Sequence, residues 1–295
     1  MRQKTSPYGE YERQEEFLMV GQLNNIKFLQ TCADNKCFPR FMIITGEKGS
    51  GKKTLASYIA KHLLRAITVY PGNGVEAVRE AINNSYKCAG TTVYIFPDAD
   101  KMSTQAKNAM LKITEEPPRQ AYFIMTVESI NNTLSTLKSR GTEIQMESYS
   151  DAELESLLDT VSKEDRLAIR IASNPGQLYQ LREIDTEEFY TFCKNVLNFV
   201  AVVTGVNAFK IGNSLKFKED GNGYDPILFF ECIKAICAER SRISTDSDEL
   251  IALRNTIRAT NEYKRDFSLT GVKKDSTFDM WILEMRDIWK GVYTE

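Results

Sequence analysis

Residues 46–54 read GEKGSGKKT. Before them stands FMIIT (41–45), a short apolar run that predicts a buried strand. After them comes TLASYIAKHLLRAI (54–67), whose apolar residues recur at helical spacing. A glycine-rich turn between a strand and a helix is the setting in which a chain wraps a phosphate. Gly46, Gly49 and Gly51 let backbone amides converge on an anion with no side chain in the way. Ser50 completes the turn, the following helix aims its positive end at the anion, and Lys52 has the reach for the terminal phosphates. One residue departs from the pattern. Ser or Thr ordinarily follows that lysine and holds Mg²⁺ through its hydroxyl, but here Lys53 follows it. Thr54 comes one residue late, turned about 100° around the helix.

Outward from the loop, TTVYIF (91–96) predicts a second buried strand that ends in PDADKM. A hydrolytic site needs acidic residues there to complete the metal shell and direct water. Pro97 takes the first of those places and offers no ligand, and Asp98 follows. With two metal ligands missing, the loop is expected to bind ATP or ADP weakly or not at all, and not to hydrolyse it.

The rest of the chain supports a P-loop α/β domain followed by helices. VEAVREAINNSY (75–86) predicts an amphipathic helix, and STQAKNAMLKIT (103–114) another, capped by Ser103. Pro117 and Pro118 end the latter. AYFIMTV (121–127) predicts a third strand, NNTLSTLKSR a short helix and GTEIQME a last strand. Apolar strands alternating with helices point to a mostly parallel sheet covered on both faces. After residue 148 only helical patterns remain, including SYSDAELESLLDTV, KEDRLAIRIA and four longer segments. The expected divisions are a flexible lead (1–16), an α/β domain (17–147), a small helical lid (148–186) and an all-α domain (187–295).

Composition removes several function classes. The 295 residues carry 38 basic and 40 acidic side chains, so no global basic field marks a nucleic-acid binder. No apolar run reaches membrane-spanning length, and the polar N-terminus lacks a signal-peptide core, which makes cytoplasmic residence the expectation. His62 is the only histidine, which leaves little material for Ser-His-Asp or histidine-metal chemistry. The six cysteines lack zinc-knuckle spacing, so they are read as reduced thiols and zinc is not expected. Glu115 and Glu116 are read as capping a turn before the prolines, and Lys273 with Lys274 as a solvated basic turn. Trp281 and Trp289 suggest a packed terminal helix.

DADKMSTQAKNAMLKITEEPP (98–118) resembles the segment after the second acidic motif in clamp-loader AAA+ subunits. LKSRG (137–141) is similar to that family's Ser-Arg-Cys motif, with Gly141 in place of the cysteine. VGQLNNIKFLQ (20–30) resembles its Val-Gly-Gln opening, and SNPGQLYQL (173–181) a Gly-Ser-Pro-Gly stretch. The resemblance implies that Val20 and Gly21 lie beside the adenine and that Thr126 and Gly176 stand at nucleotide-sensing positions. Gly176 replaces a sensing arginine. The pattern of losses is most similar to the delta-prime class of bacterial DNA polymerase III, whose members do not hydrolyse ATP themselves. The four-cysteine zinc module usual in that class is absent between the loop helix and the second strand, where only Cys88 lies.

That resemblance implies several things beyond the fold. Arg140 would act as an arginine finger in trans on a neighbour's ATP. The 187–295 helices would form a collar joining ATPase motor and delta-like subunits. The assembly would load a sliding clamp on primer-template DNA. Two alternatives remain open from the residues alone. An active motor subunit would need Asp98 and Thr54 to hold Mg²⁺ after a shift of the loop. A P-loop small-molecule kinase would need an acceptor pocket and an arginine-bearing lid.

Overall fold

A computed structural model describes residues 19–202, 224–267, 274–290 and 292. The expected lead at 1–16 and Lys273 lie outside these residues. The chain divides into two compact units, residues 1–149 and 150–295.

The first unit is a five-stranded parallel sheet with helices on both faces. Its strands are β1 (Phe41–Thr45), β2 (Ile67–Val69), β3 (Thr92–Phe96), β4 (Ala121–Val127) and β5 (Thr142–Gln145). Their order across the sheet is β2-β3-β4-β1-β5. Every pairing is parallel. β1 and β3 are wholly buried, as their unbroken apolar runs require. The helices are α1 (Leu23–Asp34), α2 (Lys52–Tyr58), α3 (Val75–Ser85), α4 (Thr104–Glu115) and α5 (Ser135–Lys138).

Alternate residues of β1 point to opposite faces. Phe41 and Ile43 join a core built with α3 and α4, while Met42 and Ile44 join one built with α1 and α2. Ser103 caps α4 by accepting from the Ala106 amide at 3.2 Å, as its sequence position predicts.

Two departures from the sequence reading have local causes. The helix expected to run to residue 67 leaves α geometry at Ile59, widens into one π turn through Leu63 and stops. Arg65 then takes a left-handed conformation (φ 47°), and Ile67–Val69 peels off as edge strand β2 beside β3. The helix expected across 148–161 keeps only α6 (Asp151–Glu155). Past it, the amides of Leu157 and Leu158 bond three residues back, which tightens the turn and ends the helix.

The second unit contains α6, α7 (Lys163–Ile171), α8 (Pro175–Arg182), α9 (Thr186–Val202), α10 (Pro226–Ile243), α11 (Ser247–Phe267) and α12 (Lys274–Trp289). α6 and α7 each begin with a reciprocal capping box, through Ser150 with Glu153 and Ser162 with Asp165. Arg182 adds an ion pair to Asp165 at 2.7 Å. Residues on both sides of the expected 186/187 division meet here, with Arg170 3.6 Å from Glu239.

The core of α10–α12 is aromatic: Phe229, Phe230, Phe278 and Trp281 meet edge-on or stacked. Both tryptophans are buried, as expected of a packed terminal helix. Their indole N–H groups donate to α11, Trp281 to Thr260 at 3.1 Å and Trp289 to Thr256 at 2.9 Å. One turn on, Lys264 forms a buried ion pair with Glu231, whose other oxygen receives Lys234 at 2.7 Å. Among the described residues no helix is long and apolar enough to cross a membrane.

Candidate functional site

The glycine-rich loop leaves the carboxyl end of β1, where phosphate-binding loops of parallel sheets are placed. Its backbone needs its glycines. Gly49 and Gly51 take φ of 84° and 89°, a region that side chains resist. A Cβ on Gly46 would stand 2.8 Å from Met146 Cβ. Gly46 N–H donates to Val127 O at 3.2 Å, tying the loop to the end of β4.

Lys52 folds back over the loop. Its Nζ donates to Gly46 O at 2.7 Å and Glu47 O at 2.8 Å. An ammonium has three protons, so these two bonds leave one for a ligand. Burial pushes its pKa down, and the carboxylates of Glu128, Asp98, Asp100 and Glu47 oppose that shift. Ser50 is buried, and its Oγ has no hydrogen-bond partner.

Tyr149, which the sequence reading did not single out, closes the other side of the loop. Its hydroxyl donates to Ser50 O at 2.9 Å and would stand 3.2 Å from a Cβ on Gly51. Met19, next to Val20 and Gly21 in the chain, reaches the same place. Met19 Cε would be 4.0 Å from that Cβ, and Gly21 adopts φ 70°. Gln22 fixes this segment by a two-way amide clasp, donating to Glu147 O at 2.9 Å and accepting from Glu147 N at 2.8 Å.

The two residues that depart from the sequence pattern, Lys53 and Pro97, have their own partners. Lys53 Nζ lies 5.1 Å from the centre of the Tyr70 ring, whose hydroxyl is 2.7 Å from Ser57 Oγ. Thr54 sits one position further along α2. Pro97 offers its carbonyl to Asn73 Nδ2 at 2.8 Å. Asp98 turns into a left-handed conformation, and its carboxylate meets Lys101 at 3.2 Å. Its amide donates to Thr126 Oγ1 at 3.0 Å, so the sensor-like threonine braces the acidic motif. Asp100 accepts from Glu128 N at 2.8 Å and from Asn132 Nδ2 at 2.9 Å. Among the described residues no group of three or more His, Cys, Asp or Glu side chains is placed to hold a metal ion.

The 46–54 loop, Asp98 and Thr126 therefore lie together within the first unit. Gly176 stands on the first turn of α8 in the second.

Arg140 stands elsewhere in the first unit. It follows α5 and precedes β5, whose first residue, Thr142, is paired with Met42 near the start of β1. The glycine loop begins at the opposite end of that strand, roughly 13 Å further on at the usual rise per residue. Arg140 Nη1 donates to Thr136 O at 2.6 Å and Nη2 to Glu115 Oε1 at 2.8 Å. The side chain keeps 34% of its surface exposed. Gly141 lets this turn press on the sheet, since a Cβ there would stand 2.9 Å from Ile43 Cδ1 and 3.0 Å from Phe41 Cε1. Glu115, expected to cap the turn, instead accepts from an arginine 25 residues away, a partner no spacing rule reveals.

The family model described as DNA polymerase III, delta subunit, matches residues 72–150, which contain Asp98, Thr126 and Arg140. The gamma/tau subunit of DNA polymerase III from Mycoplasma genitalium is 28% identical over 176 residues, covering 49% of this chain and 30% of that protein. The delta-prime subunit from Yersinia pestis is 40% identical over 70 residues, covering 23% of this chain and 21% of its own. The matched stretch thus spans a third or less of either relative. A gamma subunit-related protein from Thermotoga maritima superposes with a TM-score of 0.45 at 15% identity, over 91% of this chain and 100% of its own. The resemblance to clamp-loader subunits, read first from the motifs, is borne out by the family model and the sequence relatives. The parallel α/β sheet stands on the strand order itself, and the helical second part on its own elements.

Proposed function

We propose that this chain is a delta-prime-like clamp-loader subunit that does not hydrolyse ATP and supplies Arg140 in trans to a neighbouring ATPase subunit. The observation that carries the reading is the separation within one sheet. Arg140 stands at the amino ends of the strands, and the chain's own glycine loop leaves their carboxyl ends. Its guanidinium does not reach the phosphates that loop would hold. Presented to another subunit, it would offset charge on the γ-phosphate as transfer proceeds.

The loop supports the same reading. Lys53 and Pro97 replace two metal-binding side chains, and Asp98 and Asp100 are occupied by Lys101, Glu128 and Asn132. An active motor subunit would have to break those contacts to bind Mg²⁺. ATP or ADP, if bound, would sit among Val20, Gly21 and residues 46–54 with Lys52 on the phosphates, held weakly and without turnover. In this reading residues 148–186 act as a lid and 187–295 as a collar joining motor and delta-like subunits. The assembly loads a sliding clamp on primed DNA as a component of the cytoplasmic DNA polymerase III holoenzyme.

The test assays Mg·ATP hydrolysis by the purified chain alone and after mixing with the ATP-hydrolysing clamp-loader subunits of the same genome. The chain alone should be silent. The mixture should be active and should lose much of that activity with Arg140→Ala. Turnover by the chain alone that vanishes with Lys52→Ala would identify it as a motor subunit instead.

A further inference from the structure

Residues 128–141, which lead to Arg140, are fastened to α4 at both ends. At the start, the buried Lys107 of α4 donates from Nζ to Asn132 O at 2.7 Å. Asn132 in turn donates to Asp100 at 2.9 Å. At the end, Arg140 donates to Glu115, the last residue of α4, at 2.8 Å. The second bond of Arg140, to Thr136 O at 2.6 Å, comes from the other terminal nitrogen. A guanidinium is planar and carries five N–H donors in fixed directions. Two acceptors on its two terminal nitrogens therefore set the plane of the whole group. Nε–H and one hydrogen on each terminal nitrogen stay available.

We infer that Glu115 is a positioning residue: it holds the Arg140 guanidinium in the orientation in which the remaining N–H groups meet a neighbouring subunit's γ-phosphate. The inference rests on the trans role proposed above. Glu115 touches no nucleotide. It acts by removing rotamer freedom that a free arginine would lose in the transition state. The pair is half exposed, so its mutual attraction is screened and does not outweigh a metal-bound triphosphate. Orientation, rather than net charge, is what Glu115 supplies. An acceptor oxygen at this position should then suffice, charged or not.

The measurement is kcat and KM for ATP of the complex assembled from the full chain and its ATP-hydrolysing partners, with primed DNA and clamp. Glu115→Ala should lower kcat about five- to tenfold with KM changed by less than about twofold, the mark of an interaction made in the transition state. Glu115→Gln keeps an acceptor and should retain at least about half of kcat. In an Arg140→Ala background, Glu115→Ala should have no further effect. An equal loss in both backgrounds overturns the inference, because Glu115 would then act without Arg140. Loss with Arg140→Ala but none with Glu115→Ala also overturns it and leaves the trans arginine standing. Silence of both single variants removes the trans arginine and the inference together.

Discussion

The glycine loop and the Arg140 turn sit at opposite ends of the same sheet and differ in kind. At the loop, the backbone shape of a phosphate site is kept: two left-handed glycines, a lysine over two carbonyls and a tyrosine braced on Ser50 O. The side chains that would do chemistry there are replaced at Lys53 and Pro97. At the turn, one charged side chain is fixed by two acceptors, and the adjoining Gly141 brings the backbone against Phe41 and Ile43. One region is defined by its backbone, the other by a single oriented side chain. On the reading proposed above, the site that Arg140 serves lies on a neighbouring subunit.

The largest expected effect tests the turn. Arg140→Ala should reduce turnover at the site it serves by on the order of 10³, the scale of arginine fingers elsewhere. Steady-state ATPase of the mixed complex reads it, and an unchanged rate would leave the turn no more functional than the loop. Next comes an attempt to reverse the loss at the loop. Lys53→Thr together with Pro97→Asp should tighten Mg²⁺-dependent ADP binding about tenfold, while either change alone gives under about twofold, because the ion needs both groups. Calorimetry with and without Mg²⁺ decides, and tight binding by the natural chain would contradict the weak site proposed for it.

Two glycines sharpen the contrast through stability. Gly51→Ala forces a side chain into a left-handed backbone and should cost about 2 kcal/mol. Gly141→Ala crowds Ile43 Cδ1 and Cγ1 and Phe41 Cε1 at 2.9–3.0 Å but needs no left-handed backbone, and should cost about 1 kcal/mol. Urea midpoints separate the two. The smallest effect lies outside both regions. Ser150 holds Glu153 below the usual carboxylate range, through its amide first and its hydroxyl second. A depressed folded-state pKa stabilises above the unfolded value, and that contribution disappears as pH falls through the folded value. Ser150→Ala should therefore cost about 1 kcal/mol at neutral pH and less in acid. A gap that stays constant across that range would show that Glu153 does not take part in the cap.

What the sequence disclosed follows the range of the interactions involved. β1, β3 and β4 are unbroken apolar runs, and the glycine loop announces the strand-to-helix turn, so the sheet and its phosphate loop were legible. β2 was not. Three residues after a long helical pattern carry too little periodicity, and the π turn that releases them leaves no mark in the sequence. Lys53 and Pro97 could be read as losses because a pattern existed to miss. Tyr149, Asn73, Asp100 and Glu115 could not, since each acts on a partner 24 or more residues away. The same holds for Lys264, which looks like a surface lysine in the sequence and is buried against Glu231.

Both tryptophans of the chain belong to the second unit, each buried with its indole N–H bonded to α11. Intrinsic indole emission is thus a private signal of the helical part, and the α/β part is dark in that channel. Far-ultraviolet dichroism sees both. Following the two signals through one denaturant titration would show, without any label, whether the two parts melt as one cooperative body or as two.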